Sequence, residues 1–440
     1  MAVAATWRIA LGGLTALALT TGATGCAGDA AQGGRAGEAA DPNARRPVRL
    51  IGDGSTADTG PQPLQPRPRR LAPGERPPQF VVFSWDGAGE DGQKLFSHFR
   101  EVGRKYHATM TYFLSGVYLL PDTKRHLYHP PRHPAGSSDI GFNDVGGVRA
   151  TAAQAGAAWL EGNEIGTHFN GHFCGRDRGV GTWSAEEWKS EIRQAVSFVQ
   201  HWKTNSGLKN EPPLPFDYAK ELVGGRAPCL LGQRNLVTAA KDMGFRYDAS
   251  SAGGRQVWPR RLKGLWDFPL QDVPVPGRHG EMLSMDYNFL ANQSGSPRGT
   301  RGSRSEVWGF RGRQMRDALL AGFDRAYEGN RAPLFIGDHF ESWNGGAYMR
   351  AVESVIRTVC TKPDVRCVSF KQLADWLDAQ DPQVLAALRE LEVGRTPPGG
   401  WATLRRAVGR PAGARPGRRR GRPARPDRRR SSRSPSSPRS

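Results

Sequence analysis

Two absences narrow what this chain can be. The apolar run near the N-terminus, "IALGGLTALALTTGATG", is too short to cross a bilayer as a helix. No internal repeat is visible, which leaves stacked-repeat architectures without support. Cysteine is also sparse, at five in 440 residues. Acidic side chains are fewer than basic ones, 42 against 62, for a formal net charge of +20. Much of that excess sits in the last forty residues, which hold fourteen arginines and one aspartate. The body before them is only mildly basic, and no nucleic-acid partner is expected.

The chain is too long for one compact domain and too uneven for two equal ones. Residues 1–26 read as an export signal, with Arg8 as the early charge and small residues before Cys26. "ATG" directly before Cys26 resembles a bacterial lipobox, in which the cysteine is acylated. Ala23 stands where leucine is usual. The expectation is a lipoprotein on the outer face of the cell membrane, with plain secretion as the alternative. Residues 27–78 are Gly, Ala, Pro and Arg with few large apolar side chains, and read as a disordered tether. Residues 396–440 read as a disordered basic tail that cannot bury a core, and an anionic wall polymer is its expected contact. With Cys26 set aside, Cys174, Cys229, Cys360 and Cys367 remain, an even number for an oxidising compartment. "CTKPDVRC" can close a small Cys360–Cys367 loop. Cys174 and Cys229 each follow a polar motif and meet if those motifs converge.

Between the two tails, residues 79–395 alternate strand and helix. "QFVVFSWDG", "ATMTYFLS", "NEIGTH", "FRYDAS", "GLWDFPL", "APLFIGDHF" and "VRCVSF" read as strands. Helical patterns separate them, one with a capping box from Ser184 to Glu187. This predicts an α/β fold with a parallel sheet, open or closed. Asp86, His168, Arg226 and His339 fall at predicted strand ends, and a barrel opens all such ends on one face, so a barrel is favoured.

The chemistry follows from those residues. His168 and His172, four apart in "GTHFNGH", can offer two nitrogens to one metal ion, and catalytic zinc sites want a third protein ligand. "SWDGAGED" supplies Asp86, Glu90 and Asp91 as carboxylates. Amide hydrolysis needs an activated water, stabilisation of the oxyanion and a proton for the leaving amine.

In order, "FSWDG", "GTHFNGH", "GGRAPC", "GLWDFPL" and "FIGDH" resemble the motifs of the NodB-homology polysaccharide deacetylases, over about Phe80 to Glu392. The resemblance implies a distorted (β/α) barrel of about seven parallel strands. It implies a monomeric, metal-dependent hydrolase, zinc being the first candidate, that removes N-acetyl groups from an envelope amino-sugar polysaccharide. By that resemblance Asp86 is the general base, Arg226 orients it, and His339 is the general acid. His168 and His172 fall on the metal ligands. Two positions depart from the pattern. Gly87 replaces the aspartate that is the third ligand, which leaves Asp91, Glu90 or Asp86 itself to serve; Asp91 is the expectation adopted. Gly337 replaces an apolar residue of the acetyl pocket. Among the tryptophans Trp343 is the first candidate for a sugar platform and Trp266 the second. The rival readings are a metal-free surface carbohydrate-binding protein and a hydrolase of another C–N amide.

Overall fold

The computed structural model describes residues 48–294 and 305–404. The predicted signal with Cys26, the first part of the tether and the chain beyond residue 404 lie outside them.

Period-two alternation builds the centre of the fold. In the strand Gln79–Ala88 the odd-numbered Val81, Phe83 and Trp85 pack outward, into one cluster with Phe96 and Phe99 of the helix Leu95–Tyr106 and Val352 of the helix Trp343–Val359. The even-numbered Phe80 and Val82 face a second cluster with Phe113, Phe335 and Phe370. Ser84 and Asp86 continue that inner row. Leu334–His339 lies parallel alongside and pairs Phe335 with Val82, Gly337 with Ser84 and His339 with Asp86. On the other edge, Thr111–Leu114 pairs Phe113 with Asp86, and Glu164–Thr167 then pairs Gly166 with Phe113. In-register neighbours share a face of the sheet, so Asp86 and His339 emerge on the inside at the carboxyl ends of their strands, and His168 continues the row of Gly166.

All seven predicted strands form, but not as one ladder. Val365–Cys367 pairs with the start of Gln79–Ala88 and completes a five-stranded parallel sheet. Tyr247–Asp248 and Leu265–Asp267 pair parallel in a separate sheet, with Arg260–Leu262 antiparallel on its edge. Single backbone bonds join the two. Arg226 N donates to Thr167 O at 3.0 Å, Ala249 N to Gly225 O at 3.0 Å, and Phe268 N to Asp248 O at 3.0 Å. Ser284 N to Gln271 O at 2.9 Å and Gly337 N to Ser284 O at 3.0 Å return the path to the first sheet. The ring is closed on one side by ladders and on the other by isolated bonds, which is the sense in which this barrel is distorted.

The expected tether is shorter than predicted. Residues 48–78 are laid on the body, starting with a hairpin of Arg49–Ile51 and Thr56–Asp58. Trp202 Nε1 donates to Ser55 O at 2.8 Å, and Gln62 Nε2 donates to Asn163 O at 2.7 Å and Trp159 O at 3.1 Å. Such a Pro-rich segment has no core of its own. It is ordered by side-chain to carbonyl bonds exchanged with the barrel in both directions, which its composition does not reveal. Order also runs past the predicted start of the tail, with Trp401 packed against the inner cluster. The capping box forms as expected at Ser184 and Glu187. Both disulfides form, Cys174–Cys229 and Cys360–Cys367. Among the described residues no helix is long and apolar enough to cross a membrane.

The Cys174–Cys229 bond closes a sequence separation of 55 residues and ties the histidine loop to the loop that follows Arg226. Replacing both cysteines by alanine is expected to lower unfolding free energy by about 2–4 kcal/mol. Urea unfolding of the variant against the parent measures it.

Candidate active site

His168 still belongs to the strand edge, since its N–H donates to Leu114 O at 2.8 Å. The chain then turns through left-handed Phe169 (φ 61°) and His172 (φ 58°), so no helix forms between the two histidines. Gly171 is obligatory there: a Cβ would lie 2.8 Å from the Tyr128 ring. A buried clamp holds the turn. Glu191 Oε1 accepts from Asn170 N at 3.1 Å and from Tyr128 OH at 2.8 Å, and the same hydroxyl accepts from Gly171 N at 3.0 Å. Tyr128 and Glu191 carried no signal in the sequence, because one lies in a polar insertion and the other reads as an ordinary helix residue. The two imidazole centroids end 5.1 Å apart.

Arg226 is wholly buried and makes the central ion pair. Its Nη1 donates to Asp86 Oδ1 at 2.8 Å and to Ser84 Oγ at 2.9 Å, while Nε donates to Ala249 O at 3.0 Å. Burial pushes the Asp86 pKa up, but Arg226, His168 and His339 together outweigh it, so the net shift is downward and the carboxylate is ionised. The expected partnership of Asp86 and Arg226 is therefore present as a direct contact.

His339 is held in the opposite state. Asp286, which the sequence reading missed, accepts from His339 N at 2.8 Å and from Nδ1 at 2.8 Å. Burial lowers the imidazole pKa, yet Asp286, then Asp86 and Glu341, raise it to about 9. Asp286 sits in "SMDYNF", at the head of the helix Asp286–Ser294, and nothing local marks it. Only the bridge between Met285 and Gly337 brings it under His339. Asp338, the neighbour of His339, is buried on the opposite face with neither oxygen partnered. Burial, with Asp286 and Asp86 nearby, raises its pKa well above the usual range.

These groups open on one cleft of about 440 Å³, lined among others by Asp86, His168, His172, His339 and Trp343. Trp343 is thus where the sequence placed it. Trp266 is not: it is buried in the inner cluster, with Nε1 donating to Asp378 at 2.7 Å and Arg261 stacked on its ring at 4.2 Å. Its place on a two-sided strand made it core. Gly337 is filled space rather than a lost pocket wall, since a Cβ there would meet Arg226 Nη1 at 3.0 Å and Leu270 and Met285 at 3.1 Å.

A metal fits two donors of this site and lacks the third. His168 Nδ1 donates to Arg226 O at 2.8 Å, which leaves Nε2 as the lone-pair nitrogen, buried and without a protein partner. Burial drives the His168 pKa down to about 3 and lowers that of His172, so both are neutral. Asp91 lines the same cleft, but its carboxylate is turned to Gln93 N and Nε2. Glu90 Oε2 accepts from Ser97 N at 3.0 Å, at the start of a helix. Neither carboxylate is brought to the histidine pair. Among the described residues, the three ligand atoms grouped within 4.8 Å are those of His172, Cys174 and Cys229, and both sulfurs are spent in the disulfide. Asp91 as third ligand is therefore corrected: its loop is stapled outward by its own Asx turn.

No family model matches the chain, and no curated protein does. Among solved structures it is similar to a protein from Mycobacterium smegmatis assigned as a polysaccharide deacetylase, at 15% identity and a TM-score of 0.38 over 71% of this chain and 95% of that one. It is also similar to a pseudoenzyme of carbohydrate esterase family 4 from Bacillus anthracis, at 11% identity and 0.35 over 70% of each chain. A family 4 carbohydrate esterase from Streptomyces lividans follows at 11% and 0.32, over 66% of this chain and 91% of that one. The similar structures are consistently polysaccharide deacetylases and their carbohydrate esterase kin. The reading of the site rests on its own residues.

Two outcomes follow from the geometry. The charged form of His339 stabilises the fold fully below its ordinary pKa of 6.5, and that contribution is lost as pH rises through about 9. Asp286→Asn should shift the imidazole titration, followed by NMR, to lower pH and flatten this loss. Arg226→Met should cost about 3–5 kcal/mol, because Asp86 is left buried without its partner; thermal and urea melts measure it.

Proposed function

We propose that the chain is a hydrolase that removes N-acetyl groups from an amino-sugar polysaccharide of the cell envelope. The observation that carries this reading is a base and an acid set in opposite protonation states around one cleft. Asp86 is kept ionised by Arg226, and His339 is kept protonated by the Asp286 carboxylate beneath it.

Asp86 takes a proton from the attacking water as the oxygen forms its bond to the acetyl carbon. Arg226, fixed by Ser84 and Ala249, keeps the carboxylate aimed and charged. The tetrahedral centre then collapses, the C–N bond breaks, and His339 gives its proton to the departing amine. Acetate and a free amine result. His168 and His172 would hold a divalent ion, zinc first among candidates; when bound it supplies Lewis-acid polarisation of the acyl carbonyl and a more acidic water. Trp343, 5.5 Å from the His339 ring, offers a face on which a sugar can stack. The two disulfides support export to an oxidising compartment, and anchoring through Cys26 remains part of the same proposal.

The missing third ligand favours one alternative, a carbohydrate-binding protein that no longer turns over. Acetate release from N-acetylated chito-oligomers by the full-length protein separates the two. For the hydrolase, Asp86→Asn and His339→Ala should each lower kcat by at least about 10²-fold. The parent's rate should hold at neutral pH and fall as pH rises through about 9, when His339 loses its proton. Absence of acetate from the parent, with zinc, cobalt or nickel supplied, would leave the binding protein as the reading. Metal content measured beside His168→Ala should show a bound ion lost with that imidazole.

A further inference from the structure

The cleft is acidic on a strongly basic protein. The chain carries a formal charge of +20, yet the residues lining the cleft include Asp86, Glu90, Asp91 and Glu341 and, among the described residues, no lysine or arginine. Arg226 lies behind Asp86 and is spent on it. His339 is similarly matched by Asp286 beneath. Glu90 and Asp91 take no part in the acid–base machinery, and Glu341 touches it only by helping to raise the His339 pKa. Glu90 is 6% exposed, and its Oε1 has no partner. Partial burial raises the pKa of Glu341, the charge on His339 lowers it, and Asp286 and Asp91 raise it again, for a net rise. Aromatic rings stand in the same wall: Tyr118, Tyr287 and Trp343, the last two with centroids 6.0 Å apart. Carboxylates beside ring faces are the combination that attracts an ammonium ion.

We propose that this cleft selects a cationic glycan, an amino-sugar chain already carrying free ammonium groups next to its acetylated residues, with Asp91 and Glu341 as the carboxylates that read the charge. This rests on the deacetylase reading for its substrate class but concerns binding alone. Such a site favours a partly deacetylated polymer and turns away glycans that carry carboxylates or phosphates, because like charges in a confined cleft repel. A deacetylase so built binds more tightly to the kind of chain its own reaction produces, and so favours continued action on chains already opened.

Calorimetry on the full-length protein at mildly acidic pH tests this with three probes: a glucosamine tetramer, an N-acetylglucosamine tetramer and a hyaluronan tetrasaccharide. The expected order of affinity is cationic, neutral, anionic, with the cationic probe favoured about tenfold over the neutral one. The preference should shrink as salt rises and narrow towards parity in Asp91→Asn with Glu341→Gln. Equal or tighter binding of the neutral or anionic probe overturns the proposal, and so does a preference unaltered in the double variant when its melting temperature matches the parent. Both substitutions lie on the exposed rim, so folding should survive. A charge preference without any acetate release would sink the deacetylase reading and leave this one standing.

Discussion

The rest of the site depends on one buried ion pair. Arg226 and Asp86 are almost completely removed from water, a placement that is costly unless each charge is met and hydrogen-bonded. The protein meets most of that requirement from four directions, leaving Arg226 Nη2 without a partner. Ser84, two residues before Asp86 on the same face, takes one Nη1 bond. The carbonyl of Ala249, on the next segment of the ring, takes Nε. Phe113 and Phe370 stack on the guanidinium. The Arg226 carbonyl in turn fixes the tautomer of His168. One arginine thus sets the charge of the base, the tautomer of a histidine and the closure of the barrel where ladders fail.

A second device sits across the cleft. Asp286 binds both the backbone and the ring of His339, so the charge of the imidazole is coupled to its position. The two devices bias their groups in opposite directions, as acid and base of one reaction require. They reinforce each other through the attraction between Asp86 and His339, and their separation is set by the direct pairing of the two residues between adjacent strands. Gly337 is needed by the same arrangement, since any side chain there would press on Arg226.

The metal question illustrates how local geometry decides chemistry. Histidines four apart on a tight turn satisfy two donors, and both are neutral. A third donor requires a carboxylate on the Asp86 loop to point inward. Gly87 has a left-handed backbone (φ 65°), and a Cβ there would touch Ser115 Oγ at 3.8 Å without clash, but the residue brings no oxygen. Asp91 and Glu90, a few positions on, are drawn into a turn and a helix start instead. Their carboxylates end up as an acidic lining.

Much of the fold was legible because its signals are local. Seven strands, the capping box and the paired cysteines follow from period, spacing and count. Asp86, His168, Arg226 and His339 were visible as polar residues at strand ends, with His172 four past His168, and the fold brings the histidines and Asp86 to one cleft with Arg226 behind. What the chain alone could not show depends on segments distant in sequence. Asp286 is an ordinary helix-start aspartate until a bridge to Gly337 places it under His339. Trp266 looks like a sugar platform until both faces of its strand are covered. The polar stretch from residue 48 to 78 lacks any apolar period and becomes ordered through hydrogen bonds and ion pairs with the barrel. Periodicity and charge state which face a residue must occupy; only tertiary contact decides which partner it meets there, because hydrogen bonds and ion pairs are specific to position while burial is not.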